Sequence, residues 1–202
     1  MQSEPLFKYS TVCNQISRKI EQVSRLTSAQ STLILNDTSV TKFERNRLIN
    51  RIFGNSIKNT FKVNNLDFVE NKDQIKFIAS HNGYEKKFGC IHKREISLDK
   101  LNGKLIGSDE IIKKKNGRPI NYSLRFHLYP GLTAIKTIGG NSILIQISKN
   151  KSLIFTIINE SILLEKSIFL GGNKILDNTC VTVSGNLVNK NKTIHWEIKK
   201  NI

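Results

Sequence analysis

Three of the four histidines, His81, His92 and His127, fall in one stretch from Ile78 to Leu132 that also holds Tyr84, Arg94, Arg125 and Tyr129. Imidazole and phenol groups can carry protons, and guanidinium forks pair with carboxylates, so these types suit an acid–base site or the binding of an anionic sugar. Leu124, Phe126 and Leu128 alternate with Arg125, His127 and Tyr129. That period of two is a strand with one apolar and one polar face, and the polar face carries Arg, His and Tyr.

Each group also has a plain structural reading. A histidine on a strand can be a hydrogen-bonded scaffold residue, and alternation assigns His127 a face but not a role. His81 and His92 are eleven residues apart across Gly83 and Gly89, so they belong to different parts of a hairpin or turn. Their spacing gives no reason for them to converge with a carboxylate around a metal. His195, beside Trp196, reads as packing. No G-x-S-x-G, phosphate-binding loop, dinucleotide fingerprint or H-E-x-x-H pair occurs.

These residues have to be positioned by a chain of 202 residues, enough for one substantial domain with a real core. The 38% hydrophobic content belongs to a globular sequence, not a disordered one. The net charge of +16 suits a polyanionic partner, although a general drift toward Ile, Asn and Lys would produce the same excess. Cys13, Cys90 and Cys180 are too few and too far apart to indicate a disulfide framework or a zinc site. The opening residues lack the basic and apolar regions of a signal peptide, and no apolar run is long enough for a membrane-spanning helix.

The first 60 residues are polar and partly helical or irregular. Ile16, Ile20 and Val23 recur at helical spacing, Ser31–Leu35 reads as a strand ended by Asn36-Asp37, and residues 41–60 form a basic segment with Arg45, Arg47, Arg51 and Lys58. No aromatic platform accompanies those cations, so a nucleic-acid surface is not indicated. From residue 61 onward short strands follow one another. They fall at 61–63, 75–78, 94–98, 109–112, 123–129, 132–137, 142–148, 152–158, 162–170, 179–184 and 193–199. Turn-forming pairs separate them, including Gly139-Gly140, Gly171-Gly172 and Gly185-Asn186. The expected fold is all-β, an antiparallel sandwich occupying residues 1–202 as one domain.

Several quoted segments then resemble one family. The run S-H-N-G-Y-x(3)-F-G-x-I-H-x-R, the element Gly107-Ser108-Asp109, and R-F-H-L-Y-P-G are similar to the carboxy-terminal part of the heparinase II/III-like family. So are Leu26–Leu33 with Asn36–Ser39, and the ending His195-Trp196-Glu197-Ile198. The resemblance implies a polysaccharide lyase superfamily member, in which a helical toroid and a β-sandwich flank the substrate cleft. It implies β-elimination on a uronate unit. A positive or metal-supported group neutralises the carboxylate, a Tyr or His takes the neighbouring proton, and a Tyr protonates the leaving oxygen.

The toroid and the opening of the sandwich have no counterpart in this sequence. Gln30 also stands where the family pattern has a histidine just before the S-T-L strand. An amide is a poorer ligand than imidazole and no general base, so a divalent metal such as zinc, which the family allows, is disfavoured. The resemblance thus implies the carboxy-terminal sandwich of a lyase for an acidic polysaccharide, inactive by itself and completed by a separate toroid chain. It also implies the cell envelope or periplasm as location. His81, Tyr84, His92, Arg94, Arg125 and His127 are the substrate-binding candidates, with no catalytic residue assigned. A non-catalytic glycan-binding or structural sandwich is the second reading, and a basic nucleic-acid-binding module the third.

Overall fold

A computed structural model describes residues 23–44, 48, 51–52, 57, 61–115, 117–171, 174–188 and 190–201. Among these residues twelve strands run in chain order: β1 (Leu33–Leu35), β2 (Val63–Glu70), β3 (Gln74–His81), β4 (Cys90–Asp99), β5 (Lys104–Lys113), β6 (Ile120–His127), β7 (Thr133–Lys136), β8 (Ser142–Ser148), β9 (Lys151–Ile157), β10 (Ile162–Gly171), β11 (Lys174–Leu187) and β12 (Lys192–Asn201). A single helical turn, α1 (Glu85–Phe88), joins β3 to β4, and a 3-10 turn (Thr27–Ala29) precedes β1.

The strands form two sheets with every pair antiparallel. One has the order β1-β6-β11-β10, the other β2-β3-β4-β5-β12-β9-β8-β7. This is the expected antiparallel sandwich. Alternation decides its core: Leu33, Leu35, Leu124, Val181 and Val183 point inward from the small sheet, and Ile111, Ile143, Phe155, Ile157 and Ile194 meet them from the large one. Phe126 crosses the gap, its ring 4.8 Å from Phe155 and 5.1 Å from Trp196 in an edge-on contact.

Several local expectations are corrected. Gly185-Asn186 is not a turn but the interior of β11, where glycine is required because an added Cβ would lie 2.4 Å from the Tyr122 hydroxyl. Gly107-Ser108-Asp109 belongs to one unbroken strand, β5, which begins at Lys104, before the expected 109–112. β2 extends from Val63 to Glu70, well beyond the expected Phe61–Val63; its Asn pair and the positive φ of Asn65 disguise it. Tyr129 lies past the end of β6, in the turn that follows, and does not continue the alternation. Cys13, Ile16, Ile20, Arg45, Arg47 and Lys58 lie outside the described residues.

Candidate functional site

Strand register brings His81 and His92 together. β3 pairs with β4 so that His81 is directly opposite His92 and Ala79 opposite Arg94. β4 pairs with β5 so that Arg94 is opposite Asp109, and β5 pairs with β12 so that Gly107 is opposite Trp196. The ten residues between the two histidines return the chain through α1, which ends on Gly89 in the left-handed conformation (φ 64°). Spacing gives no reason for the two histidines to meet a carboxylate; strand register supplies one. They share the inner face of the large sheet, and Asp109 stands beside them.

Tautomers follow from one backbone donor. The Gly83 N–H points at His81 Nδ1 (3.2 Å), so that nitrogen accepts and the ring hydrogen sits on Nε2. His81 Nε2 then donates to His92 Nδ1 (3.2 Å), and His92 Nε2 donates to Asp109 Oδ1 (2.7 Å). Asp109 is fully buried, and it also receives Arg94 Nε on Oδ1 (2.7 Å) and the Trp196 indole N–H on Oδ2 (2.9 Å). Burial alone would raise its pKa, but the hydrogen bond from His92, the charge of Arg94 and their further interactions hold it below the ordinary carboxylate value. His81 is held down at about 4, first by burial, then by the neighbouring His92 and by Arg94.

Arg94 spans the space between the sheets. Its Nη1 donates to the Ser31 carbonyl (2.6 Å), just before β1, while Nη2 is buried with no hydrogen-bond partner among the described residues. Tyr84 makes a second cross-sheet tie, donating its hydroxyl to the Leu33 carbonyl (2.9 Å) from a fully buried position. Burial drives its pKa well above the ordinary phenol value. Tyr84 and Arg94 thus tie the two sheets together, while His92 is buried within the large sheet. Asp109 and Trp196 complete the cluster, and neither was among the candidates. The signal available for them was Gly107, whose missing side chain leaves room for the indole: a Cβ there would lie 2.1 Å from Trp196 Cζ2.

Arg125 and His127 lie elsewhere, on the outer face of the small sheet, as the alternation predicted. Arg125 borders a cleft of about 480 Å³ with Asp37, Asn121, Glu165 and Asn186. Its Nη2 is 3.7 Å from Glu165, and its Nε is buried with no partner among the described residues. Two residues along the same strand, His127 donates Nε2–H to the Ser28 carbonyl (3.0 Å), which leaves Nδ1 to accept from the Ser167 hydroxyl (3.1 Å). Burial lowers its pKa despite the opposing Ser28 bond. It borders a second cleft of about 450 Å³ with Gln30, Tyr129, Phe169 and Asn178. Ser31 links the two regions, since its carbonyl holds Arg94 and its hydroxyl accepts the His127 backbone N–H (2.9 Å).

Metal binding does not fit these residues. The ring nitrogens of His81 and His92 are engaged with their neighbours. Among the described residues no group of three or more His, Cys, Asp or Glu is placed to hold a metal ion. Nor is any helix among them long and apolar enough to cross a membrane.

The sandwich has close counterparts among solved structures. A heparan sulfate lyase, HepC, from Pedobacter heparinus superposes with a TM-score of 0.70 at 14% identity, over 91% of this chain and 26% of the lyase. A heparinase III gene product gives 0.68 at 12% identity over 92% of this chain and 26% of its own, and another heparinase III structure 0.61 at 15% over 91% and 25%. At such identities the likeness concerns the fold, and this chain spans about a quarter of each lyase. No curated protein sequence matches. Residues 8–197 match the family described as heparinase II/III-like, C-terminal. The chain belongs to the heparinase II/III-like family, as its carboxy-terminal domain.

Proposed function

We propose that this chain is the sandwich part of a polysaccharide lyase that cleaves an acidic, uronate-containing glycan by β-elimination in the cell envelope or periplasm. The supporting observation is the family match over residues 8–197, beside a fold similar to part of the heparan sulfate lyase HepC. In that reaction the proton beside the uronate carboxylate is removed, the C4–O bond breaks, and the leaving oxygen takes a proton. Among the described residues Arg125 is suited to the carboxylate, because its side chain borders an open cleft of about 480 Å³. The buried His81–His92–Asp109–Arg94 network positions the sandwich and takes no proton-transfer step.

A specific observation favours the second reading, a non-catalytic glycan-binding module. His81, His92 and His127 each have both ring nitrogens in hydrogen bonds, so none offers a free lone pair as a base. In this reading the proton-transfer groups are supplied by a helical toroid on another segment or chain. The test is the ultraviolet absorbance of unsaturated uronate ends, measured with uronate polymers and this chain alone, then with a toroid present. Product only when the toroid is present supports a lyase sandwich. No product under either condition, with glycan binding retained, supports the binding module.

A further inference from the structure

Three loops meet at one end of the sandwich, and each brings exposed cations. The turn α1 supplies Lys86 and Lys87, the β5–β6 loop Lys114, Lys115 and Arg118, and the β11–β12 loop Lys190. Hydrogen bonds knit these loops together. The Lys114 N–H donates to the Gly89 carbonyl (2.8 Å), the Lys113 N–H to Asn191 Oδ1 (2.9 Å), and Lys113 Nζ to the Val188 carbonyl.

Little acid balances this end. Glu85 is taken by Lys114 (2.8 Å) and Glu160 by Lys192. Lys86, Lys115, Arg118 and Lys190 have no carboxylate within ion-pair distance among the described residues. The opposite end differs. There Lys100 pairs with Glu70 (2.9 Å) and Lys104 with Glu197 (2.7 Å), Asp99 stands opposite Lys104, and the Asp73 carbonyl receives the Lys100 N–H.

The side chains of the basic end fit a particular kind of anion. Lysines are compact point charges, suited to a diffuse anionic surface, and Arg118 alone among these exposed cations has a planar fork. Phe88 packs against the core and carries Lys87 over its ring (5.0 Å), so it offers no open platform for stacking bases. Apolar side chains flank the cations instead. Val188, 55% exposed, lies in the loop of Lys190, and Ile158, 52% exposed, in the β9–β10 loop that Glu160 ties to Lys192. Cations beside exposed aliphatic groups are what a bilayer with anionic lipid attracts, through charge first and shallow insertion second.

We infer that this end of the sandwich docks on an anionic membrane surface, with its lysines and Arg118 facing lipid phosphates and Val188 entering the headgroup layer. The inference is separate from the glycan reading, whose cleft at Arg125 lies on the outer face of the small sheet.

The test is co-sedimentation with vesicles of phosphatidylcholine alone or mixed with phosphatidylglycerol. The chain sediments with the mixed vesicles and not with the neutral ones, and raised salt releases it. Lys115→Glu with Arg118→Glu weakens the binding by about ten-fold or more, and Val188→Ser by about three-fold. Lys149→Glu with Lys151→Glu, in the β8–β9 turn at the opposite end, leaves it within about two-fold. All these side chains are exposed, and an unchanged Trp196 emission verifies folding. Equal binding to both kinds of vesicle, or equal losses in the two double variants, overturns the docking surface. So does a loss in Lys115→Glu with Arg118→Glu that affects DNA or a uronate polymer and spares the vesicles. Each of these failures leaves the reading of Arg125 as it stands.

Discussion

Asp109 and Trp196, 87 residues apart in sequence, meet in the core, where the indole N–H donates to the buried carboxylate at 2.9 Å. That bond closes a network in which one aspartate accepts from His92, Arg94 and Trp196 together. A buried carboxylate with three donors holds strands β4, β5 and β12 in one register, and its removal leaves a guanidinium uncompensated. Asp109→Asn is expected to destabilise the fold by about 3–5 kcal/mol, measured by chemical denaturation. A loss below about 1 kcal/mol would show that the network contributes little.

Gly107 gives an independent view of the same contact. A methyl group there meets the indole at 2.1 Å, so Gly107→Ala has to displace Trp196 from Asp109. The expected cost is about 1–3 kcal/mol. Trp196 is the only tryptophan, so its emission and near-ultraviolet circular dichroism report the displacement directly. Unchanged spectra would mean that the backbone yields instead.

Stability should fall in mild acid. His81 is held at about 4 against an ordinary 6.5, so the fold favours its neutral form. The stabilisation is present above pH 6.5 and is lost as pH falls toward 4, in total roughly 2 kcal/mol after allowance for solvent screening. His127, also lowered, acts with the same sign. Asp109, held below its ordinary 3.8, loses its contribution only beneath that window. Denaturation midpoints at pH 7 and pH 4.5 measure the effect, and His81→Gln is expected to reduce the difference between them.

The sequence reads clearly wherever one strand decides the outcome. Arg125 and His127 face outward because Leu124 and Phe126 must face the core, and alternation alone says so. The His81–His92 contact depends on how β3 pairs with β4 across a helical turn, a tertiary register that spacing does not encode. Asp109 was visible only as part of a motif, since its partners come from β4 and β12. Gly185 reads as a turn, yet it sits mid-strand to admit Tyr122. Short β-breaking residues have two uses, and only the neighbouring side chain distinguishes them.

The edge strand β2 is exposed on both faces, with Val63, Leu66, Phe68 and Val69 all open to solvent. An uncovered apolar edge promotes strand-to-strand association. The chain is expected to self-associate at raised concentration, and Phe68→Lys to reduce this, as measured by light scattering. A monomer over a wide concentration range would contradict the expectation.

Whether Arg125 holds a carboxylate is decided by the affinity of the folded chain for a uronate polymer compared with DNA, each measured across a salt series. Binding to the uronate polymer is expected to be tighter and to weaken several-fold in Arg125→Ala, with stability changed by less than about 1 kcal/mol. Binding to DNA that equals or exceeds binding to the uronate polymer, unaffected by Arg125→Ala, would contradict it.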